Sequence, residues 1–280
     1  MKKNSQKILI MGLGLMGASL ALAVRKRWPA ARIAAVSRNT QALREAQKKG
    51  WIDEGSPRVE DAAQGVDFAV ICTPVNAEAA QLQALDQAAL GPILVTDVGS
   101  VKGELSRFLK KARFKNLSVI PAHPMVGSHE QGASAAREGL YAKGNVFLIT
   151  ERGQNAEARK RVSDFWRSLG MKVFPTDARR HDRLVAQISH LPHALAASLV
   201  NCVSAEALPF AASGFRDTTR IAAAHPSVWE PIFSANRSEV DRALRSFEKE
   251  IANIRKMIRS RKSMPLQTRL NRARRRRGEI

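Results

Sequence analysis

The sequence predicts an α/β domain built on a parallel sheet, followed by a domain made only of helices. Three observations carry that expectation. Short apolar runs alternate with helical patterns as far as residue 174, the arrangement of a parallel sheet covered by helices on both faces. The first apolar run, residues 7–11, ends in Gly12-Leu13-Gly14-Leu15-Met16-Gly17 and passes straight into a helical stretch. Strand signals stop after residues 172–174, and from Asp177 onward the pattern is helical throughout.

Element by element, a strand over 7–11, a glycine turn, a helix over 18–27, a strand over 32–36 and a helix over 40–49 stopped by Gly50 make one βαβ unit. Further strands are expected over 68–72, 93–96, 119–122 and 146–150, with helices over 76–85, 102–111 and 156–169. In the second part, 181–203 is apolar on most faces and 238–257 is amphipathic. A helix apolar nearly all round must be buried, and about 100 residues cover one poorly, so a homodimer formed through these helices is expected. The predicted boundaries are 1–175 for the first domain, 176–262 for the helical domain and 263–280 for a basic tail.

The 280 residues are 44% hydrophobic and 25% charged, which excludes disorder, collagen and coiled coil. Cys72 and Cys202 are the only cysteines, too few for a disulfide framework or a cysteine metal site, and they point to a reducing, cytoplasmic setting. Lys2 and Lys3 before the uncharged run at 8–24 imitate an export signal. Glycines interrupt that run, it is shorter than the ~20 residues that span a bilayer, and its removal would delete the first strand; no membrane association is expected. The net charge of +21 is concentrated at the end, where eleven Lys and Arg from Arg255 onward face one acid, Glu279. Residues 263–280, with Pro265, Gly278 and the run Arg274-Arg275-Arg276-Arg277, are expected to form a mobile tail. Polyanion binding is its sharper reading, held as minor because the chain has one Tyr and no aromatic interleaving.

The glycine motif gains its meaning from its setting between a strand and a helix. Gly12 permits the tight turn, Gly14 lets backbone approach a pyrophosphate, and Gly17 allows close packing of helix on strand, while the helix N-terminus supplies partial positive charge. A Rossmann domain binding a dinucleotide follows, with Leu15, Met16 and Thr73 completing the candidate contacts. An NAD enzyme usually places Asp or Glu about 20 residues beyond the glycines to bond the ribose 2′-hydroxyl. Here that position holds Ser37, followed by Arg38. A hydroxyl beside a guanidinium suits a 2′-phosphate, so NADP is expected over NAD.

Three segments place polar residues where a crevice at the sheet top needs them: Asp97-Val98-Gly99-Ser100-Val101-Lys102, His123-Pro124-Met125-Val126-Gly127-Ser128, and Ser189-His190-Leu191-Pro192-His193. Ser100 and His123 follow strands and can converge on a small-molecule substrate. A histidine there suits proton removal from an alcohol as hydride leaves, and a serine hydroxyl suits fixing its tautomer or the substrate hydroxyl. His190 and His193 share a helix face; with Pro192 between them and no further ligand nearby, they read as pocket lining on a kinked helix rather than metal ligands. Cys72 reads as core or crevice lining rather than a nucleophile, Met125 and Trp229 read as packing, and His129 is expected to face solvent.

With Gly214-Phe215-Arg216-Asp217-Thr218-Thr219-Arg220 and Trp229 added to these segments, the chain resembles the prephenate/arogenate dehydrogenase family from about residue 7 to 258. The resemblance implies oxidative decarboxylation of prephenate to 4-hydroxyphenylpyruvate, or of arogenate to tyrosine, by a Rossmann domain joined to a helical dimerisation domain. It implies that His123 accepts the proton of the ring hydroxyl, that Ser100 orients it, that Arg220 clamps a substrate carboxylate and that Ser128 and His193 line the pocket. His181 and Asp217 match positions behind it. An acidic residue a few positions past the clamp arginine favours arogenate in that family. This chain has His225 there, which offers an ammonium no opposite charge, so prephenate is expected. Three rival readings are weaker. Hydroxyacid dehydrogenases related to 6-phosphogluconate dehydrogenase use a lysine on the first helix past the sheet, and 181–201 contains none. A non-enzymatic NADP sensor has no need of Ser100, His123 and Arg220 together. Nucleic-acid binding rests on the tail alone.

Overall fold

The structure, a computed structural model, describes residues 7–128, 130–261 and 263–279. His129, and Lys2 and Lys3 of the export-like opening, lie outside the described residues. The chain divides into two compact units, Met1–Asn236 and Arg237–Ile280. The first unit extends past the boundary expected at 175/176 to include several helices.

That unit opens with β1 (Lys7–Met11), α1 (Leu15–Arg27), β2 (Arg32–Val36), α2 (Thr40–Lys48), β3 (Glu54–Ser56), α3 (Val59–Ala62), β4 (Phe68–Ile71), α4 (Glu78–Ala88), β5 (Ile93–Asp97), α5 (Gly103–Lys111) and β6 (Leu117–Val119). The six strands form one parallel sheet in the order β3-β2-β1-β4-β5-β6, which is the Rossmann order. The central strands are largely apolar because both faces are covered, with Lys7 and Arg32 at the starts of β1 and β2 and Thr96 and Asp97 closing β5. Ile8 and Ile10 of β1 join Ile33, Val70 and Leu94 under α1 and α2, while Leu9 and Met11 join Ala34, Ile71 and Val95 under α4 and α5. Strand order reverses between β1 and β4, and the crevice at that point is where this architecture binds ligands.

The expected strand over 119–122 is instead two short strands in two sheets. Ile120 still donates its N–H to the Val95 carbonyl at 2.8 Å, but Pro121 has no N–H to continue the ladder. Beyond it β7 (Ala122–Pro124) pairs antiparallel with β8 (Asn145–Ile149). After α6 (Ala156–Ser168), β9 (Lys172–Thr176) pairs parallel with β8, completing a three-stranded second sheet that the alternation pattern does not reveal. This sheet sets His123 of β7 opposite Phe147 of β8.

The helices that follow are α7 (Ala178–Val185), α8 (Leu191–Cys202), α9 (Ser213–Thr219) and α10 (Pro226–Ala235). Asp177 caps α7 by accepting from the Arg180 N–H at 2.8 Å. A π turn over Ala186–His190 joins α7 to α8, with the Leu191 N–H reaching back five residues to the Ala186 carbonyl. Pro192, at the start of α8, lacks the N–H a regular α ladder would need there. Half of the buried residues of this stretch are polar: His181, Asp182, His190 and His193 are buried beside Ala178, Val185, Ala186 and Ala196.

The second unit holds α11 (Arg237–Arg259) and α12 (Ser263–Arg277). The mobile tail expected over 263–280 therefore gives way to a helix. Pro265 falls in its first turn, where a missing N–H is harmless, and the following Leu, Gln, Arg and Ala are strong helix formers. Arg269 Nε pairs with Glu250 Oε1 of α11 at 2.8 Å.

Candidate active site

Gly12 sits at the end of β1 with φ +102°, and a Cβ there would lie 2.8 Å from the Cys72 carbonyl carbon and oxygen. The ends of β1 and β4 thus close on one another, and a side chain is excluded by sterics as well as by backbone conformation. A Cβ on Gly17 would stand 1.9 Å from the Gly12 carbonyl oxygen. Gly14 differs: nothing lies within 4 Å of its Cβ position. It is the N-cap of α1, no side chain caps that terminus, and the first turn carries no acidic residue. Open space in front of uncapped N–H groups fits a pyrophosphate. Met16 holds the turn through its carbonyl, which accepts from the buried Tyr141 hydroxyl at 2.9 Å. Leu15 is buried behind it, and Thr73 presents a buried Oγ1 without a partner among the described residues.

At the end of β2, Ser37 donates its N–H to the Ser56 carbonyl, and its Oγ accepts from the Asn39 N–H at 3.2 Å. Arg38 is exposed and makes no ion pair among the described residues. The acids that follow β2 in the chain are engaged elsewhere, Glu45 by Gln41, Asp53 by Arg25 and Glu54 by Lys7 and Arg32.

His123 is buried on β7, and its Nδ1 lies 2.8 Å from His181 Nε2 of α7. His181 Nδ1 in turn lies 2.8 Å from Asp182 Oδ1. That carboxylate also accepts from the Lys102 N–H at 2.8 Å and, through Oδ2, from the Gly103 N–H at 2.7 Å, so it caps α5. Asn236 Nδ2 donates to the Asp182 carbonyl at 2.9 Å and lies 3.2 Å from His190 Nδ1. Burial, with the neighbouring His181, Lys102 and His190, holds the His123 pKa well below the ordinary imidazole range. Burial likewise depresses His181, against the pull of Asp182, and lowers His190 to about 4. His123 is therefore neutral at pH 7 and able to take a proton. The sequence assigned the fixing of its tautomer or of the substrate hydroxyl to Ser100. In the structure Nδ1 is held by His181, and Ser100 is half-buried on the β5–α5 turn without a hydrogen bond to His123.

Beneath that turn is a buried charge cluster. Lys102 is fully buried and pairs with Asp97 Oδ2. Asp97 also accepts from the Gly99 N–H at 2.8 Å and, through Oδ1, from the Ala122 N–H at 3.0 Å, tying β5 to β7. Glu78, 2% exposed, lies against the same carboxylate. Burial, then the Asp97 charge, raises its pKa well above the carboxylate range, while Lys102 only partly opposes them. A protonated Glu78 leaves one anion facing one ammonium.

The other expected residues are dispersed. His193 is buried on α8 and stacks flat on Trp229 of α10, with ring centroids 3.6 Å apart and planes at 7°. Trp229, expected to be packing, packs on the His193 ring. Burial lowers the His193 pKa, and its Nδ1 has no partner among the described residues. Arg220 is exposed directly after α9 and makes no ion pair among the described residues. Ser128 donates to Glu130 at 3.2 Å. His225 is exposed and caps α10, its Nδ1 accepting from the Ser227 N–H at 3.2 Å.

A family model described as prephenate dehydrogenase, nucleotide-binding domain, matches residues 20–175, and one described as prephenate dehydrogenase, dimerization domain, matches 177–272. The chain belongs to the prephenate dehydrogenase family. It is 32% identical to the Bacillus subtilis prephenate dehydrogenase over 267 residues, covering 92% of this chain and 71% of that one. Among solved structures, it is similar to the prephenate dehydrogenase of A. aeolicus in complex with hydroxyphenyl propionate and NAD+, at 30% identity and TM-score 0.92 over the whole of both chains. Synechocystis arogenate dehydrogenase matches at 26% identity and TM-score 0.82, over 98% of this chain and 99% of that one. As a member of the prephenate dehydrogenase family the protein is an oxidoreductase of aromatic amino acid biosynthesis. Among the described residues no helix is long and apolar enough to cross a membrane.

Reading the sequence of this family member missed Asp182, Asn236 and the roles of Asp97, Lys102 and Glu78. Asp97 carried a signal, an acid closing the otherwise uncharged strand Ile93–Asp97. Asp182 and Asn236 act across 80 and 54 residues of chain, respectively, which no local pattern encodes.

Proposed function

We propose that the protein oxidises and decarboxylates prephenate to 4-hydroxyphenylpyruvate with transfer of hydride to NADP. The observation that carries this reading is the buried, neutral His123 with one ring nitrogen held by His181 and the other left to a substrate. Bound nicotinamide supplies the hydride acceptor. His123 accepts the ring-hydroxyl proton as hydride leaves the carbon bearing that hydroxyl. Loss of the ring carboxylate as carbon dioxide sends its electron pair into the ring, and the phenolate oxygen recovers the proton from His123. Ser100 orients the hydroxyl, Arg220 clamps a carboxylate in the fork geometry that Lys lacks, and His193 and Ser128 line the pocket. The protein's work is then orientation and electrostatics.

Ser37 and Arg38, which makes no ion pair among the described residues, support NADP, since both groups suit a 2′-phosphate and Asp53 and Glu54 are tied to other cations. The A. aeolicus relative was solved with NAD+, so the two cofactors are compared directly. The decisive assay measures kcat/KM for prephenate and arogenate with each cofactor in the wild type and in Ser37→Asp/Arg38→Ala. Prephenate with NADP is expected to be best, and the double variant to move toward NAD. A wild type that prefers NAD, or arogenate, overturns the corresponding half of the reading. Leu199 of α8, and Ile251 and Ile258 of α11, are exposed. Together with the description of the 177–272 family model, they support a homodimer through the helical region.

A further inference from the structure

We propose that His181 and Asp182 are positioning residues that hold His123 as the tautomer protonated on Nδ1, so that its Nε2 lone pair always faces the substrate hydroxyl. The inference rests on the reading of His123 as the proton acceptor, and it follows from the direction in which each hydrogen bond can run. The Asp182 carboxylate has only acceptor atoms to offer. Oδ1 already receives the Lys102 N–H and Oδ2 the Gly103 N–H, so the 2.8 Å contact to His181 requires the proton on His181 Nδ1. A neutral His181 then has a bare Nε2, and the 2.8 Å contact to His123 requires a donating Nδ1–H on His123. His123 Nε2 is thereby left without its proton, the state a base must be in. The opposite polarity needs a cationic His181. Burial opposes that charge, as does the Lys102 ammonium, while Asp182 and Asp97 favour it only in part.

The chain is fixed mechanically as well as electrically. Asp182 is locked by the α5 N-terminus, and Asn236 holds the Asp182 carbonyl from the far side at 2.9 Å. Phe147 of β8 meets the His181 ring edge-on at 5.3 Å, and the two imidazoles meet at 68°. The groups facing the pair are therefore Lys102 from the β5–α5 turn, Asp97 from β5, Asp182 from α7 and His190 from the π turn. When His123 takes the substrate proton, its Nδ1–H still donates to His181 and His181 still donates to Asp182. The new charge is stabilised without any proton passing beyond His123. The carboxylate thus serves α5 and the imidazole chain with the same two oxygens, and orienting a base through its second nitrogen matters because the wrong tautomer cannot act.

The test combines ring-nitrogen NMR with kinetics. In the 15N-histidine-labelled wild type, His123 is expected to show a protonated Nδ1 and an unprotonated Nε2 at pH 7, assigned by loss of its signals in His123→Asn. His181→Phe removes the acceptor and should populate the Nε2–H form, lowering kcat by about 10²–10⁴-fold with KM for the cofactor little changed. His181→Gln, whose amide oxygen can accept from Nδ1–H, should recover part of that loss. A wild-type His123 protonated on Nε2 overturns the proposal by itself, even if His181→Phe fails to fold. So does a folded His181→Phe with wild-type kcat, or a His181→Gln no better than His181→Phe. The tautomer measurement needs no turnover: if neither prephenate nor arogenate is oxidised while the Nδ1–H form is seen, the function reading fails and the positioning of His123 stands.

Discussion

Replacing Glu78 by Gln should make the protein more stable as the pH rises above about 5, relative to the wild type. In the folded protein Glu78 is buried against Asp97 and its pKa is raised, by burial first and by the Asp97 charge second. In the unfolded chain it titrates near the usual ~4.3. Between those two values the folded state holds a proton that the unfolded state has lost, so wild-type stability falls as pH rises, by up to about 1.4 kcal/mol per pH unit for this group. The contribution is complete below the unfolded pKa and disappears as pH climbs through the folded one. Gln carries no proton to lose, and its amide can donate to Asp97 as the protonated acid does. Groups outside the cluster titrate alike in the two proteins, so the difference between them reports Glu78 and the Asp97 and Lys102 charges it faces. Urea unfolding at pH 5, 6, 7 and 8, at one protein concentration without ligand, should show the variant gaining on the wild type with each step until Glu78 ionises. Parallel stability curves, or a wild type that gains on the variant, would refute the protonated Glu78 and with it the account of the Lys102 cluster.

Gly17→Ala should abolish dinucleotide binding, because its Cβ would stand 1.9 Å from the Gly12 carbonyl oxygen and must displace the turn; fluorescence titration with NADP checks it, and a native Kd would contradict the packing. Arg220→Ala should raise the KM for prephenate, through loss of a charge-assisted pair worth about 2–5 kcal/mol where bound substrate buries it, with cofactor binding unchanged. His225→Asp should move kcat/KM toward arogenate by offering its ammonium a carboxylate. Since His225 caps α10 and Asp is a good N-cap, the helix should persist in that variant, and thermal unfolding alongside the kinetics checks that it does.

The first half of the fold was legible because its determinants are local. The continuous apolar run of β1, the glycine turn and the capped helices each declare themselves within a dozen residues. The second sheet was not, since β7 is three residues long and its identity depends on Pro121 releasing the chain to β8. At the site, Ser100 was singled out because residues just past a parallel strand face the crevice, and His123 on the same ground, although it lies within β7 of the second sheet. The partner that orients His123 lies 58 residues away on a helix, and the sequence records only that His181 and Asp182 are adjacent. Glu78 was invisible for another reason. An acid in the first turn of an amphipathic helix normally reads as a solvated helix-dipole partner, and only packing against Asp97 reveals it as an interior acid.

The π turn over Ala186–His190 makes the active site sensitive to chain length in a way that no substitution reproduces. A π turn accommodates one residue more than the α turn it replaces, and successive residues of an α-helix are about 100° apart around its axis. Deleting one residue from 186–190 would take out that extra residue and leave α7 and α8 in their present register. An inserted residue has no such slack to take it up, and everything C-terminal to it would be rotated by about 100° relative to α7. His181 and Asp182 would keep their places, whereas His193 would turn away from Trp229. Length scanning along residues 186–190 should therefore find a one-residue deletion better tolerated than a one-residue insertion.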